Sequence, residues 1–101
     1  MSVLNLTAGE FENEVINSDK PVLIDFYADW CGPCRMVSPL VDEIAEERSD
    51  IKVCKVNVDS EPALAQSFGV ESIPMLVVIK NGKVTAQNIG AVPKQTILGM
   101  L

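Results

Sequence analysis

The sequence predicts one α/β domain: a mixed, mostly parallel sheet with an antiparallel hairpin at one side and helices on both faces. Three stretches carry that expectation. VLIDFYA, residues 22 to 28, is almost continuously apolar, as a strand covered on both faces must be. A long helical pattern joins it to a second, valine-rich strand, IKVCKVNVD at 51 to 59, and two strands linked through a packed helix run parallel. MLVVIK, NG and KVTAQNI, residues 75 to 89, spell strand, tight turn and strand, because Asn-Gly accepts the positive φ angles of a type I′ hairpin.

In chain order, Val3 to Leu6 reads as a short strand, and Thr7 with Glu10 three residues later is a capping-box signature. The helix it opens should run to about Asn17 and end at Asp19, Lys20 and Pro21. The strand at 22 to 28 should be central. Beyond it Met36, Val37, Leu40, Val41, Ile44 and Ala45 recur at helical spacing, so that side of a helix reaching about Arg48 should face the core. Pro39 interrupts the pattern without ending it and predicts a kink. After the strand at 51 to 59, Asp59 or Ser60 can cap a short helix with Pro62 in its first turn and Gly69 at its close. A loop leads to Pro74, the hairpin follows, and Pro93 to Leu101 forms a last amphipathic helix, giving five strands and four helices.

A chain of 101 residues is long enough for one core and too short for two, and no repeat or linker divides it, so residues 1–101 are expected to be a single domain. Its apolar residues fall in short runs, none able to span a bilayer. Eight basic against fourteen acidic side chains, with no histidine, leave a formal charge of −6, which repels a phosphate backbone and argues against nucleic acid. The acidic side chains Asp42, Glu43, Glu46 and Glu47 read as a solvated helix face. MSVLNLTAGEF lacks a basic stretch followed by a long apolar one, so no export signal is expected and a cytoplasmic location is. Three cysteines are too few for the disulfide framework of a small secreted fold.

Two of those cysteines, Cys31 and Cys34, flank Gly32 and Pro33 in DWCGPCRM. A structural zinc site wants four ligands, and with only Cys54 left and no histidine it would need carboxylates or a second subunit. An iron–sulfur cluster meets the same shortage, and covalent haem attachment wants histidine where Arg35 stands. A structural disulfide closing so small a loop gains little. A reactive dithiol accounts for more residues. Pro33 suits the first turn of the long helix, which puts Cys31 at its N-terminus, where unpaired backbone N–H groups favour a thiolate, the nucleophile of disulfide exchange. Cys34, one turn on, is near enough to close a disulfide and should be the more buried and the later to ionise.

With those residues in view, the chain resembles the thioredoxin family over essentially its whole length. WCGPC at 30 to 34 follows an apolar strand carrying Asp25, and KVNVD at 55 to 59, SIP at 72 to 74, KNGK at 80 to 83 and IGA at 89 to 91 come in the family's order. The resemblance implies the thioredoxin fold, a central five-stranded mixed sheet flanked by four helices. It implies a thiol–disulfide oxidoreductase acting mainly as a reductase, with Cys31 as nucleophile, Cys34 as resolving thiol, and Gly32 and Pro33 tuning the pair. Asp25, otherwise readable as a satisfied core aspartate, would accept the Cys34 proton. Lys55, otherwise an exposed strand lysine, would moderate Asp25.

The resemblance also makes Pro74 cis and lays its loop against Cys31, with Ile73 pairing its backbone to an extended substrate segment. Trp30, Gly32, Gly90 and Ala91 would border that groove, the alternatives being packing for Trp30 and turn geometry for the glycines. Tyr27 stands where many members have tryptophan, and Met75 where threonine is frequent. No bound cofactor is implied beyond the Cys31–Cys34 couple itself. The implied partners are disulfide-containing proteins and a thioredoxin reductase, either flavin-dependent with NADPH or drawing on ferredoxin; a monomer is expected. Cys54 reads as a small buried hydrophobe. An oxidase or isomerase, or a scaffold subunit in a larger assembly, are the rival readings on the same fold.

Overall fold

Strand β2 (Val22–Tyr27) lies at the middle of a five-stranded sheet whose order is β1-β3-β2-β4-β5, in a computed structural model that describes residues 3 to 101. The other strands are β1 (Val3–Asn5), β3 (Lys52–Asn57), β4 (Met75–Lys80) and β5 (Lys83–Ile89), and the helices are α1 (Gly32–Glu47), α2 (Pro62–Ser67) and α3 (Lys94–Met100). Met1 and Ser2, where the segment read for an export signal begins, lie outside the described residues.

β3 pairs parallel with both β1 and β2, and α1 is the crossover between β2 and β3. β4 runs antiparallel to β2 and to β5, so the sheet is half parallel rather than mostly so. The reason lies between β3 and β4. A six-residue helix such as α2 rises about 9 Å, less than half the ~20 Å of a six-residue strand. The chain therefore stays at the end of the sheet where β3 leaves off, and Met75 enters opposite Phe26. The hairpin turn is as expected, with Asn81 at φ 53° and Gly82 at φ 76°, both positive as a type I′ turn requires.

Alternation along β2 sends Val22, Ile24 and Phe26 into one apolar cluster and Leu23 into another. The first cluster packs against Val15, Leu64, Ala65 and the rings of Phe11 and Phe68, and Cys54 is buried in it. The second packs against Val37, Val41, Ile44 and Ala45 of α1 and Ile97 of α3. Helical segments thus cover both faces.

Three expectations change in detail. Residues 8 to 16 are not an α-helix: a 3₁₀ turn (Ala8–Glu10) leads into a π-helical stretch (Glu12–Ile16). Glu10 does accept from the Thr7 N–H, at 3.3 Å. Phe11 and Val15 anchor the segment in the core, the Ala8 N–H donates to Glu61 Oε1 at 2.9 Å, and the ammonium of Lys52 takes the Glu14 carbonyl at 3.0 Å, bonding the end of the segment to β3 rather than to a further turn. At α2, Glu61 and not Asp59 or Ser60 is the N-cap residue. Asp59 is already engaged by Trp30, and Asn57 Oδ1 closes the turn by accepting from the Asp59 and Ser60 N–H groups at 2.8 and 3.3 Å. Along α1, which continues unbroken through Pro39, Met36 lies outside the core stripe and is 70% exposed.

Candidate active site at the Cys31–Cys34 pair

Cys31 is the N-cap residue of α1, in extended backbone (φ −91°, ψ 111°). Its side chain caps the helix: Sγ accepts from the Cys34 N–H at 3.3 Å. Pro33 occupies the first turn, where its missing N–H leaves no helical bond unmade. The two sulfurs are joined in a disulfide, with Cα atoms 5.3 Å apart. This is the geometry in which donors at a helix start stabilise negative charge on the sulfur once the bond is reduced.

Cys31 and Cys34 share a small buried cluster with Ala28, against which Tyr27, Val58 and Ile73 pack. Accessible surface does not separate the two cysteines, at 4% and 3%. The loop before β4 supplies the cover: Cys31 Sγ lies 3.8 Å from the Ile73 carbonyl oxygen, so the outer cysteine is shielded by backbone as the inner one is by the helix. Their asymmetry is one of position on α1, not of burial.

The Ile73–Pro74 bond is cis. The Pro74 carbonyl accepts from the Gly90 N–H at 2.8 Å, and Gly90 has φ +100°, a conformation side-chain-bearing residues rarely adopt. Gly90 therefore serves turn geometry and at the same time ties β5 to this loop. Ala91 beside it lines an apolar hollow of about 330 Å³ with Met36, Leu40, Val92 and Pro93. Trp30 is 67% exposed, so core packing does not explain it; its indole N–H donates to Asp59 Oδ2 at 2.8 Å. A Cβ added to Gly32 would meet nothing within 4 Å among the described residues outside its own turn of helix, so no packing contact there demands glycine. Tyr27 is half-buried and lines a separate cleft with Lys55 and Asn57, while Met75 is buried against Phe26 and its neighbours.

Asp25 is 1% exposed, and neither carboxylate oxygen has a hydrogen-bond partner among the described residues. Burial pushes its pKa from 3.8 up to about 6; the Lys55 ammonium pulls it down and the Asp42 carboxylate pushes it up. Lys55 is its register partner on β3, and both share the α1 side of the sheet with Leu23 and Val53. Lys55 is not an exposed strand lysine: only 13% of its side chain is accessible. Its ammonium ion-pairs with Asp42 Oδ1 at 2.8 Å and donates to Ser38 Oγ. Ser38 was not singled out in the sequence and Asp42 was read only as part of a solvated helix face, although with Cys34 they stand at a spacing of four along α1, which places all three on one helix face. That spacing was the available signal.

The thioredoxin family model matches residues 2–101. The chain belongs to the thioredoxin family. Relatives include thioredoxins of Pyropia yezoensis, 55% identical over 100% of this chain and 95% of its own length, and Porphyra purpurea, 56% identical over 96% and 92%. Thioredoxin of Haemophilus influenzae is 47% identical over 98% of this chain and 94% of its own length. As a thioredoxin-family protein with its active-site cysteines bridged, the chain is a thiol–disulfide oxidoreductase whose redox centre is the Cys31–Cys34 pair. Among the described residues, no group of three or more His, Cys, Asp or Glu side chains is placed to hold a metal ion. No helix among them is long and apolar enough to cross a membrane.

Proposed function

We propose that this chain is a general protein-disulfide reductase of the cytoplasm, acting as a monomer and recharged by a thioredoxin reductase. The observation that carries the direction of attack is the place of Cys31 as N-cap of α1, its sulfur accepting a backbone N–H. The Cys31 thiolate attacks one sulfur of a substrate disulfide, the S–S bond breaks, and the other sulfur leaves as a thiolate that takes a proton from solvent. Cys34 passes its proton to the Asp25 carboxylate, directly or through a water, and its thiolate attacks Cys31 Sγ. The second substrate thiol is released, two electrons have moved to the substrate, and Cys31 and Cys34 are bridged. A carboxylate titrating at about 6 suits this task, being ionised at neutral pH yet basic enough to hold a proton.

The substrate segment would lie extended along the Ile73 backbone beside Pro74, bordered by Trp30, Gly32, Gly90 and Ala91. Exposure of Trp30 and the open space over Gly32 support room for a partner there. Lys55 moderates Asp25, and Gly32 and Pro33 tune the couple. The test is a Cys34→Ser variant supplied with reductant and a disulfide-bonded test protein. It should form the mixed disulfide through Cys31 and fail to release it, so that a covalent adduct accumulates and turnover stops. Turnover at the wild-type rate without adduct would contradict the scheme.

A further inference from the structure

One line of polar side chains crosses the otherwise apolar contact between α1 and the sheet. Cys34, Ser38 and Asp42 follow one another at a spacing of four on α1, and beneath them Asp25 and Lys55 face each other in register on β2 and β3. Lys55 is the register partner of a carboxylate whose two oxygens are both buried and have no partner among the described residues, yet it does not bond to it. Its ammonium is taken instead by Ser38 Oγ and by Asp42 Oδ1, the latter at 2.8 Å.

We propose that Ser38 and Asp42 are positioning residues for the proton-transfer step: they hold the Lys55 ammonium on the helix side, so that Asp25 faces a cation without being paired to it. This rests on the reading of Asp25 as proton acceptor for Cys34. A lysine released from the helix can turn to the buried carboxylate, whose oxygens have no donor among the described residues. Paired directly, that carboxylate would hold its charge far more strongly and take a proton less readily. Clamped to α1, Lys55 still moderates Asp25 through space, and the Asp42 charge acts on Asp25 in the opposite sense. The other neighbours do not offset this: on β4 the register partner of Asp25 is Leu76, and the Lys94 ammonium of α3 is held by Glu43 and Glu47. Other ionisable groups on this side of the sheet are the Tyr27 phenol, two residues along β2 from Asp25, and, in the reduced chain, the Cys34 thiol.

The experiment is a direct titration of the Asp25 carboxyl carbon by NMR in the oxidised, full-length chain, where neither active-site sulfur ionises. Asp42→Asn should lower the Asp25 midpoint, by ~1 pH unit, because it removes a like charge and frees Lys55. Ser38→Ala should move it the same way by less. Asp42→Glu should restore the wild-type curve, and Lys55→Met should raise the midpoint instead. Asp42 is exposed, so the variant keeps its core. An unmoved or raised midpoint in Asp42→Asn overturns the proposal. The proton-acceptor reading is tested separately by the rate of mixed-disulfide resolution in Asp25→Asn; the titration reports the Lys55 clamp whichever way that rate turns out.

Discussion

Two neighbouring strands bury an ionisable side chain on opposite faces of the sheet. Asp25 on β2 faces α1; Cys54 on β3 faces the cluster formed by the π-helical segment and α2. Burial is the largest influence on both and disfavours the charged form of each, raising Asp25 to about 6 and Cys54 to about 12. The outcomes differ because the starting points differ and because the faces do. Asp25 has Lys55 and a polar line of helix side chains beside it, so it can still ionise at neutral pH. Cys54 is surrounded by Val22, Ile24 and Val56 on an apolar face, and Lys52 lowers its pKa too little to offset burial. One desolvation effect thus yields a usable base on one side and an inert thiol on the other.

Removing the charge from Asp25 gives the largest expected effect on stability. The folded chain holds the Asp25 proton more tightly than the unfolded chain does. Folding therefore takes up a proton between about pH 3.8 and 6, and wild-type stability rises as pH falls through that window. Above it, the ionised carboxylate costs up to about 3 kcal/mol, from roughly two pKa units at ~1.4 kcal/mol each. Asp25→Asn should be the more stable protein at pH 7, and its advantage should shrink toward pH 4. Denaturant unfolding across that range measures it; a pH-independent difference would remove one side of the comparison.

On the other face, Cys54→Ser puts a hydroxyl among apolar side chains and should destabilise by ~1–3 kcal/mol at every pH in that window. In the native reduced protein at neutral pH, Cys31 should be the sulfur that alkylates first, with Cys54 reacting only on unfolding. Rapid labelling of Cys54 in the native state would show that its face is not closed.

The strands and the hairpin were legible because their signals are local: the apolar run 22–28, the alternation at 51–59 and the Asn-Gly pair each specify their own geometry. The direction of β4 was not, since it depends on how far α2 carries the chain, which no local pattern records. Met36 misled because helical spacing tolerates a neighbour of the true stripe, and only packing shows that Val37, Val41 and Ile44 are its centre. The cysteine pair and Asp25 stood out by residue type in context. The Lys55 clamp did not, because a lysine on a strand and a serine and an aspartate on a helix each have an ordinary surface reading, and only the fold brings the three together.

The most direct test of the account follows a preformed mixed disulfide on Cys31 and measures the rate at which Cys34 resolves it, from pH 5 to 8, in wild type and Asp25→Asn. The wild-type rate should climb through about pH 6 as the carboxylate ionises, while the variant, lacking that acceptor, stays slow across the range. Superimposable profiles for the two proteins would contradict it.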